Sequence, residues 1–237
     1  MGRLSGKVAI ISGGARGQGT EEARLFASEG AKVIIGDILD SEGIQVESEI
    51  VEQGGQAKFV RLDVSIENDW SKAVQLAIPE YGKLDILVNN TGILLMIEVE
   101  DTSTEEWNYL HNINSKGVFL GSKAVIAAMR ESGGASIVNI SSIAGLIGSK
   151  FSAYSASEGL VRILTKSIAV NHGHENIRCN SVHPGIIDTD MVSEMIGNKE
   201  GRDLQLNRTP LNVIANSRDV AFGVLYLASD ESRYVTS

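Results

Sequence analysis

The sequence predicts a single-domain α/β fold, a doubly wound parallel sheet with helices on both faces. Three observations carry that prediction. Short β-branched runs alternate with stretches of helical period, a glycine-rich turn joins the first run to the first helix, and no Pro/Ser linker or charge block interrupts residues 1–237.

Each element follows in order. Val8-Ala9-Ile10-Ile11 is an unbroken apolar run, as a strand buried on both faces requires, and Ala23, Leu25, Phe26 and Ala27 give the next stretch a buried helical stripe. The unit recurs at Val33-Ile34-Ile35, at Phe59-Val60 and at Leu84 to Val88. A long helix is expected from around Trp107 to Met129, a strand at Ser136–Ile140, a helix from about Ala153 to Val170 and a sixth strand at Ile177–Val182. Strands separated by helices pair in parallel through right-handed crossovers. The stretch from about Asp190 to Asn212 is polar and weakly periodic, and reads as a mobile segment, either a substrate lid or a loose surface loop.

Composition narrows the function classes. The formal net charge is -9, so no basic face recommends a nucleic acid or an anionic membrane as partner. Cys179 stands alone, the first residues lack a hydrophobic signal core, and no apolar run approaches membrane-spanning length; a reducing, cytoplasmic setting is expected. His111, His172, His174 and His183 show no ligand spacing, so no metal is expected.

The turn after the first strand is Ser12-Gly13-Gly14-Ala15-Arg16-Gly17-Gln18-Gly19. Gly13 permits the tight turn, Gly17 lets backbone approach a pyrophosphate, and Gly19 lets helix and strand pack closely, while the helix N-terminus offers free N–H groups. This is a Rossmann-type dinucleotide loop. Asp37 closes the second strand 18 residues beyond Gly19, where a carboxylate accepts from adenosine ribose hydroxyls and opposes a 2′-phosphate. NAD is the cofactor this predicts, with Arg16 the one residue that could serve NADP instead.

Further motifs fall in one order: Leu62-Asp63-Val64, Asn89-Asn90-Thr91-Gly92, Asn114 in Asn-x-x-Gly, Ile140-Ser141-Ser142, Tyr154 in Tyr-Ser-Ala-Ser-Glu, and Pro184-Gly185 with Thr189. With them the whole chain resembles the short-chain dehydrogenase/reductase family. The resemblance implies an NAD-dependent oxidoreductase that interconverts a secondary alcohol and a ketone. It implies that Asp63 and Val64 meet the adenine, that Asn89 and Gly92 border the cofactor, and that Pro184, Gly185, Ile187 and Thr189 hold its nicotinamide end. Ser142 would hydrogen-bond the substrate oxygen, Tyr154 would exchange a proton with it beside the cofactor, and Asn114 would anchor a relay water. Such roles suit hydride transfer, which leaves an alkoxide-like oxygen in need of a donor and a proton.

Taken singly, Ser142 reads as a strand-end turn residue, Tyr154 as a helix-surface aromatic and Asn114 as a mid-helix polar group. Two departures stand out. Where the family has lysine four residues after the tyrosine, this chain has Glu158, which could accept from ribose hydroxyls, could impair the acid/base chemistry to the point of a weak or inactive NAD-binding protein, or could simply pair with Arg162. The chain also stops at Tyr234-Val235-Thr236-Ser237, where relatives continue into a last strand, so a seventh strand is expected to be missing. Ser142 precedes Tyr154 by 12 residues, about one fewer than usual, and Thr91 replaces a more usual alanine. Leu94, Leu95, Met96, Phe151, Met191 and Met195 suggest a pocket for an apolar carbonyl compound, or are core. The helices holding Trp107 and Tyr154 would pack on a second subunit, as a homodimer or homotetramer.

Overall fold

Val8–Ser12 is buried throughout and forms β1 near the middle of the sheet. The computed structural model describes residues 2–237. Its strands are β1, β2 (Lys32–Asp37), β3 (Gln56–Arg61), β4 (Ile86–Asn89), β5 (Ala135–Ile140) and β6 (Ile177–Val182), all parallel, in the order β3-β2-β1-β4-β5-β6. Chain direction across the sheet therefore reverses between β1 and β4, which opens a crevice at the carboxyl ends of those strands.

Alternate residues of each strand feed two cores. Ala9, Ile11, Val33, Ile35 and Val138 face one side, against Phe26 of α1 (Gly17–Ser28), Val46 and Ile50 of α2 (Asp40–Glu52) and Val224 and Leu225 of the C-terminal helix Ser217–Ala228. Val8, Ile10, Ile34, Leu87 and Ile137 face the other, against Trp70 of α3 (Glu67–Tyr81) and helices that follow β4 and β5. One residue does not suit its core. Glu22 of α1 has no exposed surface and neither carboxylate oxygen has a partner, so burial pushes its pKa up to about 8.

The long helix expected around Trp107 to Met129 is interrupted. α4 (Thr104–His111), begun by a capping box between Ser103 and Glu106, runs into a π-helical turn over Asn112–Lys116 and then into α5 (Gly117–Glu131). α6 (Ala144–Ile147) and α7 (Ser152–His172) follow β5. The 190–212 stretch is mostly helical rather than a loose loop. A 3₁₀ turn (Asp190–Val192), α8 (Ser193–Ile196) and α9 (Lys199–Arg208) succeed one another before α10 (Ser217–Ala228). Asn198 caps α9 by accepting from the Gly201 N–H at 2.8 Å, and Lys199 pairs with Asp203 at 2.7 Å. Val192 and Ile196 are its buried apolar anchors, too few to print a helical period on the sequence. Residues 235–237 lie along β6: the Ser237 N–H donates to the Cys179 carbonyl at 3.1 Å and Asn180 donates to the Val235 carbonyl at 2.9 Å.

Candidate active site at the carboxyl ends of the strands

The glycine turn is held from three sides. Gly13 donates to the Gly36 carbonyl at 2.8 Å, the Ala15 N–H to Asp37 Oδ2 at 3.0 Å, and Asn90 Nδ2 to the Ser12 and Gly13 carbonyls at 3.2 Å each. Ser12 Oγ accepts from the backbone N–H groups of Asn90 and Thr91, which stitches β1 to β4 at the reversal point. Gly13 and Gly17 have left-handed φ of 69° and 60°, and a Cβ on Gly19 would lie 2.2 Å from the Gly13 carbonyl oxygen. The nearest atom to a Cβ on Gly17 would be Thr189 Cγ2, 4.0 Å away, so Thr189 looks across the open turn. Arg16 is exposed and makes no ion pair among the described residues, and Gln18 Oε1 is buried without a partner.

Asp37 is 8% exposed, with Oδ1 accepting from the Leu39 N–H at 3.1 Å. Asp63 accepts from the Ser65 N–H and hydroxyl at 2.9 and 2.7 Å, and Val64 packs into the second core with its carbonyl bonded to Trp70 Nε1 at 3.0 Å. Asn89 is turned inward: Nδ2 donates to Asn139 Oδ1 at 2.8 Å and to Ser122 Oγ at 3.3 Å, tying β4 to β5 and α5. The residue that reaches the glycine turn is its neighbour Asn90. The doubled asparagine was the sequence signal, but spacing alone does not say which of the two faces the crevice. Gly92 lies under Asn114, whose Oδ1 a Cβ would meet at 3.7 Å. Pro184 accepts from the Ile143 N–H at 3.1 Å, Gly185 is exposed beside it, and Ile187 bridges to Ala215 with its side chain buried.

The far end of the crevice is built from side chains. Asn114 sits in the π-helical turn and grips Ile93 twice, accepting from its N–H at 2.9 Å and donating to its carbonyl at 2.8 Å; the same Nδ2 lies 3.3 Å from Ser157 Oγ and 3.4 Å from Glu158 Oε1. Ser142 Oγ accepts from the Ala144 N–H at 3.1 Å, leaving its own proton to donate. His183 braces it: the Ser142 carbonyl can only accept, so Nδ1 carries the proton across 3.2 Å, while Nε2 meets Ser181 Oγ at 2.9 Å. His183 is thus structural, as its lack of ligand spacing implies, and nothing in the sequence marks which residue it braces. Tyr154, on the first turns of α7, has its phenol pushed well above its usual pKa by burial first and by Glu158 second, with the Ser142 hydroxyl pulling the other way.

Glu158 does not pair with Arg162. It is 5% exposed, Oε1 faces Asn114, Oε2 has no partner, and burial lifts its pKa to about 7 against the smaller pull of the Ser141 and Asn114 side chains. Its backbone is fixed, because Ser141 Oγ donates to its carbonyl at 3.1 Å and α6 crosses so closely that a Cβ on Gly145 would lie 2.8 Å from the same oxygen. Leu94, Leu95, Met96, Phe151 and Met195 are half-buried and Met191 is 42% exposed, so none of the six belongs to either core.

A parallel sheet that reverses beside a glycine turn, with serine, tyrosine and asparagine side chains gathered at the next strand end, defines a Rossmann-type oxidoreductase. The family model described as enoyl-(acyl carrier protein) reductase matches residues 13–237. The chain belongs to the short-chain dehydrogenase/reductase family, whose dehydrogenases use nicotinamide cofactors. It is 45% identical to a cyclopentanol dehydrogenase of Comamonas testosteroni over 99% of this chain and 94% of the relative. Against a 3-alpha-(or 20-beta)-hydroxysteroid dehydrogenase of Mycobacterium tuberculosis the identity is 44%, covering 99% of this chain and 87% of the relative. A trans-4-hydroxycyclohexanecarboxylate dehydrogenase of Sinomonas cyclohexanicum is 43% identical, at 99% and 90% coverage.

Proposed function

We propose that the protein is an NAD-dependent dehydrogenase interconverting a cyclic secondary alcohol and its ketone. The carrying observation is Tyr154, a half-buried phenol kept protonated and close enough to Ser142 to feel its hydroxyl, the pair that a developing alkoxide needs. The names of the relatives support the substrate class. The residues present fit the cofactor: the open Gly17, the unpartnered Gln18 Oε1 and Glu158 Oε2, and the free Arg16 line its course. Bound there, NAD would take or return the hydride.

In this reading the backbone around Gly13, Gly17 and Gly19 cradles the pyrophosphate, Asp37 accepts from the adenosine ribose, Asp63 and Val64 border the adenine, and Gly92, Pro184, Gly185, Ile187 and Thr189 frame the nicotinamide half, with Asn89 tying β4 to β5 behind them. Ser142 orients the substrate oxygen, Tyr154 exchanges the proton, and Asn114 fixes the loop at Ile93 that floors the pocket. Leu94, Met96, Phe151 and Met191 supply its apolar wall. The exposed apolar residues Leu160, Ile163 and Val170 of α7, with Tyr109 of α4 and Phe119 of α5, are those we assign to a homodimer or homotetramer contact.

Incubation with NAD and cyclopentanol, cyclohexanol or a hydroxysteroid should produce NADH absorbance at a rate that Tyr154→Phe lowers by roughly 10² to 10⁴. Glu158 favours a second reading, an NAD-binding protein with weak turnover. NAD binding without NADH from any alcohol, or NAD from any ketone, would establish that second reading in place of the first.

A further inference from the structure

The unmet carboxylate oxygen of Glu158 calls for a partner that the folded chain itself does not provide. Among the described residues no cation pairs with Glu158, and its pinned backbone prevents the side chain from reaching water by a shift of α7. A carboxyl group is an acceptor when ionised and both donor and acceptor when protonated, whereas the lysine usual at this position only donates. It also brings negative charge to a buried position, where charges act more strongly than in water.

Accepting the cofactor assignment above, we propose that Glu158 recognises the nicotinamide riboside end of the cofactor and discriminates between its redox forms, its carboxylate favouring the positively charged oxidised ring over the neutral reduced one. Ribose hydroxyls can donate to Oε2, which is common to both forms. Only the oxidised ring adds an attraction between opposite charges.

The preference should follow pH, because Glu158 carries its proton below about pH 7 and its charge above. The surrounding groups do not compete for this role. Tyr154 stays protonated across the range; α6 and β5 carry no titratable side chain; α4 carries Glu105, Glu106, Tyr109 and His111, the last with its pKa lowered by burial; the π turn carries Lys116; β6 carries Arg178 and Cys179, the thiol pushed up to about 12. Further along α7 and its 3₁₀ end lie Arg162, Lys166, His172, His174 and Glu175, and His183 is engaged with Ser142 and Ser181. None of these charges pulls on Glu158, whose shift comes from burial and from two neutral side chains.

The test is binding without turnover. Dissociation constants for NAD⁺ and NADH, by calorimetry and nucleotide fluorescence, are measured from pH 5.5 to 8.5 on the unaltered protein, on Glu158→Gln and on Arg162→Ala. An NAD⁺-linked fall of about one pH unit in the Glu158 pKa corresponds to about a tenfold gain in NAD⁺ affinity relative to NADH as pH rises through 7. That gain should vanish in Glu158→Gln and persist in Arg162→Ala. Tight binding of both forms with a ratio that ignores pH, or one equally pH-dependent in Glu158→Gln, would overturn the inference and leave the cofactor assignment standing. Failure of both forms to bind at any pH would overturn the assignment itself, and the inference with it.

Discussion

The two ends of the crevice are built on different principles. The end at β1 and β2 is made mostly of backbone whose shape is set before anything binds: Gly13, Ala15 and Asn90 close a ring of hydrogen bonds around the glycine turn, with Gln18 Oε1 left unpartnered beside it. The end at β5 and α7 is made of side chains with capacity to spare, the adjoining hydroxyls of Ser142 and Tyr154 and an unmet oxygen on Glu158. A backbone cradle tolerates little change of shape but much change of chemistry around it. A side-chain cluster behaves in the opposite way, keeping its shape while its chemistry turns on single protons.

The sharpest way to separate them is Tyr154→Phe, which removes one oxygen. Turnover should fall by roughly 10² to 10⁴, the span typical of a general acid/base group, while NAD⁺ affinity measured by calorimetry stays within a factor of a few. A parallel loss of NAD⁺ binding would show that the two ends are not independent. Gly19→Ala attacks the other end. Its methyl must displace the Gly13 carbonyl, an overpacking that costs about 1 to 3 kcal/mol, so the melting temperature should drop and nucleotide affinity should weaken by roughly 10- to 100-fold with the pH profile unchanged.

A change of sign at the side-chain end comes next. Glu158→Lys places a cation one turn from a phenol whose pKa both burial and the present carboxylate hold up. Alcohol oxidation at saturating NAD⁺ and neutral pH should rise by roughly tenfold or more, with its optimum moved to lower pH, and ketone reduction should change less. Unaltered oxidation would mean the phenol does not feel position 158. The smallest effect is expected from Asp37→Asn, which can keep the Ala15 contact through its amide oxygen yet withdraws a negative charge. The preference for NAD over NADP that we propose should shrink by roughly 3- to 10-fold, with Arg16 left to meet the extra phosphate, as titrations with both nucleotides would show.

Most of the backbone was legible in the sequence. The central strands β1, β2 and β4, covered on both faces, hold unbroken apolar runs and announced themselves, while β3, β5 and β6 showed through shorter apolar stretches and their place in the alternation with helices, and the two glycine jobs at Gly13 and Gly19 follow from the turn they make. α9 was not legible, because its Asn198 cap and Lys199–Asp203 pair hold a helix that buries little. The π-helical turn was equally silent: it keeps the apolar pattern of a helix and only re-aims Asn114. At position 158 the spacing was ambiguous, since Tyr154 and Arg162 stand at equal distance on either side, and only the fold, which brings Asn114 of the π-helical turn against α7, shows that the carboxylate points inward.

Glu22 carries a consequence for folding. Its carboxyl is ionised at neutral pH in an unfolded chain, with a pKa near 4.5, and holds a proton once buried, with a pKa of about 8. Folding at pH 7 therefore takes up protons, about one at Glu22 and a fraction more at Glu158. Both raised carboxyls add stability that is fully present below about pH 4.5 and is lost as pH climbs to 7 and 8, opposing the usual acid weakening of a chain with many paired carboxylates. The heat of unfolding should accordingly depend on the ionisation enthalpy of the buffer, differing between phosphate and Tris at the same pH, and Glu22→Gln should remove most of that difference.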